Sequence, residues 1–329
     1  MKRKNRKFIT KLCCVAIVCA GILGAIFVDL DDYASFRFRI RKAVSLQSLL
    51  SFFSIETSNT LQIPEAPLTI WEIDVGQGKS ILIKSGDHAA LIDAGDVEYG
   101  DRVLSFLKQK NIRQLDCVII THPHADHVGG ASTIANALPI GIVLLPEMGE
   151  GILPTTNIFG NFLNTLKRKK IKVHNPQKGA CFSLGVAVLE ICSAPNDTFD
   201  LNNASIVTNV KYQKFNFLST GDIEAAAEEQ LLENNSEFKV NVLDVAHHGG
   251  ANSTGADFLR LVSPDVALIS VGINDYGHPS AKVLHRLRAQ GVACFCTSEE
   301  GTLQINVDEN GYIVYNSKGS ELIKKSIIE

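Results

Sequence analysis

Six residues, His122-Pro123-His124-Ala125-Asp126-His127, carry three imidazoles and a carboxylate directly after the apolar run Cys117-Val118-Ile119-Ile120. Imidazole nitrogen and carboxylate oxygen are the ligands that Zn²⁺ and related divalent ions take, and a loop at a strand end turns successive side chains toward one point. Histidine supplies only 9 of the 329 residues, so three in one short window point to a metal site rather than to a polar loop. The chemistry these ligands support by themselves is metal-dependent hydrolysis, with water as the nucleophile.

The run His122-x-His124-x-Asp126-His127 with the Gly129-Gly130 pair after it resembles the signature of the metallo-β-lactamase superfamily. Six further segments stand in the order of one branch of it: WEIDVGQGKS at 71–80, LIDAG at 91–95, NNAS at 202–205, STGD at 219–222, VAHHGG at 245–250 and YGHP at 276–279. That branch is the metallo-β-lactamase-like domain of ComEC-type DNA-uptake proteins and its stand-alone relatives. The chain departs from it at Lys79, where an acidic residue is usual, and at Gly249-Gly250, where Gly-Ser is usual. Neither position is a ligand, so both bear on substrate contacts.

The resemblance implies an α/β fold, a four-layer αββα sandwich with two divalent metal ions at one edge, Zn²⁺ first and Mn²⁺ or Mg²⁺ where oxygen donors dominate. It assigns His122 and His124 to one metal, Asp126 and His127 to the other, Asp222 as a bridge and His278 as completion of the second site. Asn203 falls where many members carry a further His and would act as a weak oxygen donor. His247 is expected to ligate or to protonate the leaving oxygen, which makes Asp126 and His247 the catalytic candidates, and His248 is expected to brace from behind. Asp93 would orient a ligand imidazole through its second nitrogen, or else cap a helix. Metals roughly 3.5–4 Å apart would hold one hydroxide between them and lower its pKa toward neutrality.

Positioning such ligands requires strands that end together. Strand-like runs fall at 68–75, 80–83, 89–92 and 117–120, and again at 187–191, 205–212, 215–219, 240–245, 267–271, 293–297 and 302–306. Helical periodicity falls at 102–108, at 223–232 with Asp222 in capping position, at 256–261 and at 280–288. Every proposed ligand then lies on the loop after a strand.

Ahead of residue 67 the sequence changes character. Residues 1–28 hold a basic head and a run from Leu12 to Val28 without a charge, which reads as an uncleaved membrane anchor, the alternative being a cleaved signal peptide and a secreted domain. Basic residues before the run and Asp29, Asp31 and Asp32 after it orient the chain with residues 67–329, the hydrolase domain, outside the cytoplasm. Residues 29–66 form a juxtamembrane connector. Net charge is −3, so no global basic field announces nucleic acid. The five cysteines beyond the anchor read mainly as small core side chains.

The leading reading is a membrane-anchored metallohydrolase that cleaves phosphodiesters, with DNA as a partner implied by the resemblance. A site of this kind also suits carboxyl esters, lactones or amides. A non-catalytic accessory module of DNA uptake or of the cell envelope is the reading from another class, and the complete ligand set argues against it.

Overall fold

The structure is a computed structural model and describes residues 63, 65–147, 157–195, 200–233 and 238–327. The expected anchor at 1–28, and the connector up to residue 62, lie outside the described residues. Among those described, no helix is long and apolar enough to cross a membrane.

The first sheet begins as a meander of β1 (Leu68–Glu72), β2 (Ile81–Ser85) and β3 (His88–Ile92), each antiparallel to its neighbour. Helix α1 (Gly100–Gln109) carries the chain to β4 (Leu115–Ile119), which runs parallel to β3. The short helices α2 (Ala125–Val128) and α3 (Ala131–Ala137) lead to β5 (Ile140–Leu144), and α4 (Asn157–Lys169) leads to β6 (Lys172–His174), both strands again parallel. The second sheet opens with antiparallel β7 (Cys181–Leu184), β8 (Ala187–Ser193), β9 (Val207–Tyr212) and β10 (Phe215–Ser219). Parallel strands β11 (Val242–Asp244), β12 (Val266–Ile269) and β13 (Ala293–Cys296) extend it, alternating with α5 (Ala225–Glu233), α6 (Ala256–Val262) and α7 (Ala281–Ala289). After α8 (Thr297–Glu300) the chain returns to the first sheet, where β14 (Leu303–Val307), β15 (Gly311–Tyr315) and β16 (Glu321–Ser326) add beyond β1. The strand orders are β16-β15-β14-β1-β2-β3-β4-β5-β6 and β13-β12-β11-β10-β9-β8-β7.

Successive strand residues point to opposite faces, and here both faces are apolar because both are covered. Leu68, Ile70, Ile81 and Ile83 of the first sheet pack on Leu189, Val210, Phe217 and Val242 of the second, forming the central core. The alternate residues Trp71, Leu82 and Leu91 pack outward on Val103 and Leu107 of α1 and Phe162 and Leu166 of α4. Leu218, Leu243 and Ile269 meet Leu231, Phe258 and Val283 of α5, α6 and α7 in the same way. Each fully buried aliphatic or aromatic side chain contributes about 1.5–3 kcal/mol, so the sandwich is a stiff support for loops at its edge.

Several elements fall where the sequence did not indicate them: β5, β6, β7, β15, β16, α3 and α4. One expectation is corrected outright. Asp222 does not cap α5; its carboxylate turns inward, and the Asn203 Oδ1 accepts the Glu224 and Ala227 N–H groups instead, at 2.9 and 3.4 Å. The five cysteines in the described residues are free, three of them buried, and burial pushes the Cys117 and Cys192 thiols up to about 12.

Candidate metal centre

The ends of β3 and β4 in one sheet and of β10, β11 and β12 in the other meet at a common edge. Asp93, just past β3, takes a left-handed φ of 57°. Its carboxylate accepts the Thr121 N–H at 2.8 Å and the Thr121 hydroxyl at 2.7 Å, and its Oδ2 lies 2.7 Å from His127 Nδ1. Held through Nδ1, the His127 ring presents Nε2 to the centre of the edge. Gly78 lies under α2 with φ 138°, and a Cβ there would come within 2.5 Å of the Asp126 carbonyl oxygen, so only glycine lets the β1–β2 turn approach this closely.

Two overlapping groups of donors form among the described residues, His122–His127–Asp222 and Asp126–His127–His248, with their ligand atoms within 4.8 Å of one another. His127 Nε2 is 3.2 Å from Asp222 Oδ1 and 4.0 Å from Asp126 Oδ2. His248 Nε2 is 3.2 Å from Asp126 Oδ2 and 3.5 Å from Asp222 Oδ2, and His122 Nε2 is 3.9 Å from that same oxygen. His127 Nε2, His248 Nε2 and Asp222 Oδ1 are buried without a hydrogen-bond partner. Buried donors and acceptors are normally paired, and imidazole and carboxylate atoms gathered without such partners fit a cation.

The remaining candidates occupy other places. His124 stands beside His122, with its Nδ1 3.0 Å from His122 Nε2. His278 is half-buried, its ring centre 6.5 Å from that of His248, and its Nδ1 has no partner. In the His247–His248 pair it is His248, expected as a brace, that joins a donor group, while His247, expected as ligand or proton donor, joins neither group. His248 is the inward residue, its Nδ1 donating to the Ser270 carbonyl at 2.8 Å, whereas His247 turns outward with Nδ1 3.1 Å from Glu224 Oε1. Both residues have left-handed backbone, φ 51° and 53°, so an extended-strand register does not describe which side chain faces in. Asn203 does not face the donors; besides its N-terminal cap on α5, its Nδ2 donates to Asp200 at 2.7 Å. Helix termini compete strongly for Asn oxygens.

Three contributors escaped the sequence reading. Thr121, adjacent to His122, ties Asp93 to the imidazoles, and Ser205, the last residue of the NNAS segment, accepts the Asp222 N–H at 3.0 Å with its Oγ 3.3 Å from His122 Nδ1. Hydroxyl residues beside a ligand motif are the signal that marks both. Lys79, noted only as a departure, is fully buried. Its Nζ donates to Asp244 Oδ2 at 2.9 Å and to the carbonyl of Gly221, next to Asp222, at 3.0 Å.

The electrostatics follow from this packing. Burial, then the neighbouring His127, drives the His122 pKa well below its ordinary value. Burial also opposes a charge on His127, but the Asp222, Asp93 and Asp126 carboxylates outweigh it and raise its pKa well above the ordinary value. Burial likewise works against the Asp222 and Asp126 carboxylates, yet His127 and His248 hold both below the usual range. Burial lowers His278. A proton on His127 thus does part of what a metal cation would do, and cation binding must displace it.

Two packed sheets clad in helices, with imidazoles and carboxylates gathered at one edge, define the class of metal-binding αββα sandwiches. This chain belongs to the metallo-β-lactamase superfamily, whose profile matches residues 73–273. Within it, the chain is similar to ComE operon protein 3 of Bacillus subtilis, at 29 % identity over 253 residues, 70 % of this chain and 32 % of that protein. It is similar as well to competence protein ComA of Neisseria gonorrhoeae, at 29 % identity over 259 residues, 75 % of this chain and 33 % of that one. The chain thus spans about a third of the length of these relatives. Among solved structures, the metallo-β-lactamase fold protein YhfI of Bacillus subtilis aligns with a TM-score of 0.49 at 12 % identity, covering 72 % of this chain and 99 % of that one.

Proposed function

We propose that the chain is a metal-dependent phosphodiesterase acting on nucleic acid, held at the outer face of a membrane by its N-terminal segment. The observation that carries the hydrolase reading is the convergence of His122, Asp126, His127, Asp222 and His248, with buried nitrogen and oxygen atoms left unpaired toward one another. Support for the phosphodiester preference comes from the seven ordered motifs and from relatives named for competence. The membrane placement rests on the basic head, the uncharged run and the acidic residues after it.

In this reading those five side chains hold the cations, with His124 and His278 flanking. Bound divalent cations supply an acidified water and neutralise charge developing on the attacked phosphorus. Asp93 and the Ser270 carbonyl fix the tautomers of His127 and His248 by occupying their Nδ1 atoms, so that both Nε2 lone pairs face inward. His247 protonates the leaving oxygen, its ring oriented by Glu224.

The test is metal content per chain after purification without chelator, followed by hydrolysis of a generic phosphodiester and of single- and double-stranded DNA, beside Asp126→Ala. About two divalent ions per chain and turnover that both fall in the variant are expected. A chain that binds metal yet cuts no phosphodiester removes the substrate assignment, and a chain that binds none removes catalysis as well.

A further inference from the structure

The loop after β12 carries the two large apolar side chains most open to solvent among the described residues, Ile273 at 96 % and Tyr276 at 77 % exposure. Isolated exposed apolar residues are ordinary. These two stand on a loop pinned from within. The Asn274 Nδ2 donates to the carbonyls of Gly272 and His278 at 3.0 and 2.8 Å, while its Oδ1 accepts the N–H groups of Tyr276 and His278 at 3.1 and 3.0 Å. The loop is therefore shaped by its own hydrogen bonds, and burial of Ile273 or Tyr276 adds nothing to it.

The loop also leads into the candidate metal centre. The Tyr276 ring centre is 5.8 Å from that of His278, tilted by 34°. His278 lies 5.3 Å from the His247 ring and 6.5 Å from the His248 ring, and His248 reaches Asp126. A row of rings thus runs from solvent to the carboxylates. Directly after Pro279, α7 presents Lys282, His285 and Arg286 around a shallow hollow of about 480 Å³. Lys282 is exposed and makes no ion pair among the described residues. Sequence-tolerant sites hold a single nucleic-acid strand by an open aromatic face and a cation within reach, base on ring and phosphate on cation, and Lys282 follows Tyr276 by six residues, with the exposed Asp275 as the acidic neighbour on the loop.

We propose that Tyr276 is a specificity-determining residue that stacks an unpaired base of a single strand beside the phosphodiester at the metal centre, with Lys282 taking a neighbouring phosphate. The proposal rests on the phosphodiesterase reading for its substrate class. Paired bases of a duplex already stack on each other and offer the tyrosine no free face.

The decisive experiment separates binding from hydrolysis. Fluorescence anisotropy of the full chain in chelator, with an end-labelled single-stranded oligonucleotide and an abasic oligomer of equal length, is expected to show about tenfold tighter binding of the base-bearing strand. Tyr276→Ala should bring the two to parity, and Tyr276→Phe should restore the preference. Lys282→Ala should weaken both oligomers alike and reduce the salt dependence of binding. In the metal-loaded chain, Tyr276→Ala should raise KM for the strand with kcat little changed. The proposal is overturned if the wild-type chain binds both oligomers equally, or if Tyr276→Ala keeps the preference. A base preference that depends on Tyr276, in a chain that cuts no phosphodiester when loaded, upholds the stacking role and removes the hydrolytic reading instead.

Discussion

Two groups of buried ionisable side chains lie back to back at the sheet edge and meet the cost of burial in opposite ways. Beneath the metal centre, Lys79 donates to Asp244, to the Gly221 carbonyl and to the Val245 carbonyl, and Asp244 accepts a further bond from the Ser219 hydroxyl. Burial, then the Asp244 carboxylate, lifts the nearby Glu72 well above the usual carboxylate range, so it is held neutral. One cation, one anion and one neutral acid share this space, and the cation is the protein's own, Lys79, although Glu72 Oε1 and Oε2 and Asp244 Oδ1 meet no hydrogen-bond partner. Above them, Asp126 and Asp222 stay ionised, His122 stays neutral and His127 is held protonated, while His127 Nε2, His248 Nε2 and Asp222 Oδ1 meet no hydrogen-bond partner. Burial of charge and unpaired polar atoms are common to both; what separates them is that the lower group carries a lysine ammonium against its carboxylate, whereas the upper one gathers imidazoles and carboxylates with no lysine or arginine among them.

The largest effect that would break this contrast is in the lower group. Lys79→Met strands Asp244 without its partner and is expected to cost about 3–5 kcal/mol, read from the denaturant midpoint. A variant as stable as the wild type would mean that the Lys79–Asp244 pair does not hold the cluster together. Asp93→Asn sharpens the other side: metal affinity should drop about 10–100-fold by competition titration, because His127 loses the acceptor that fixes its tautomer. Unchanged affinity with lowered stability would move Asp93 into the structural group.

The smallest effect is Glu72→Gln, and its sign depends on pH. Glu72 has a folded pKa above its ordinary value of 4.5, so its contribution is intact below that pH and is lost as pH rises toward the folded value. Wild type and variant should therefore unfold alike near pH 4, and the variant should be the more stable at pH 8. The gain is about 1.4 kcal/mol for each unit by which the pKa is raised.

The donors at 122–127 were legible because a strand end and a metal signature coincide within six residues. The alternation of apolar residues in β1 to β4 also announced the sheet. Less was legible where local signals were weak. β6 is three exposed residues at a sheet edge, β5 carries Gly141 inside an apolar run, and α4 opens with two Asn and a Gly among its first five residues, a poor helical propensity overcome by Phe159, Phe162 and Leu166 packing on the first sheet. The order of His247 and His248 and the aim of Asn203 depend on backbone angles and on a helix terminus 21 residues away, neither of which is written in spacing.

The donors are divided between residues 122–127 on the first sheet and Asp222 and His248 on the second. During synthesis, the ribosome must therefore extend the chain beyond His248 before a cation can find its full set of ligands, and neither sheet alone carries them. A cation that binds only the finished sandwich stabilises it by mass action.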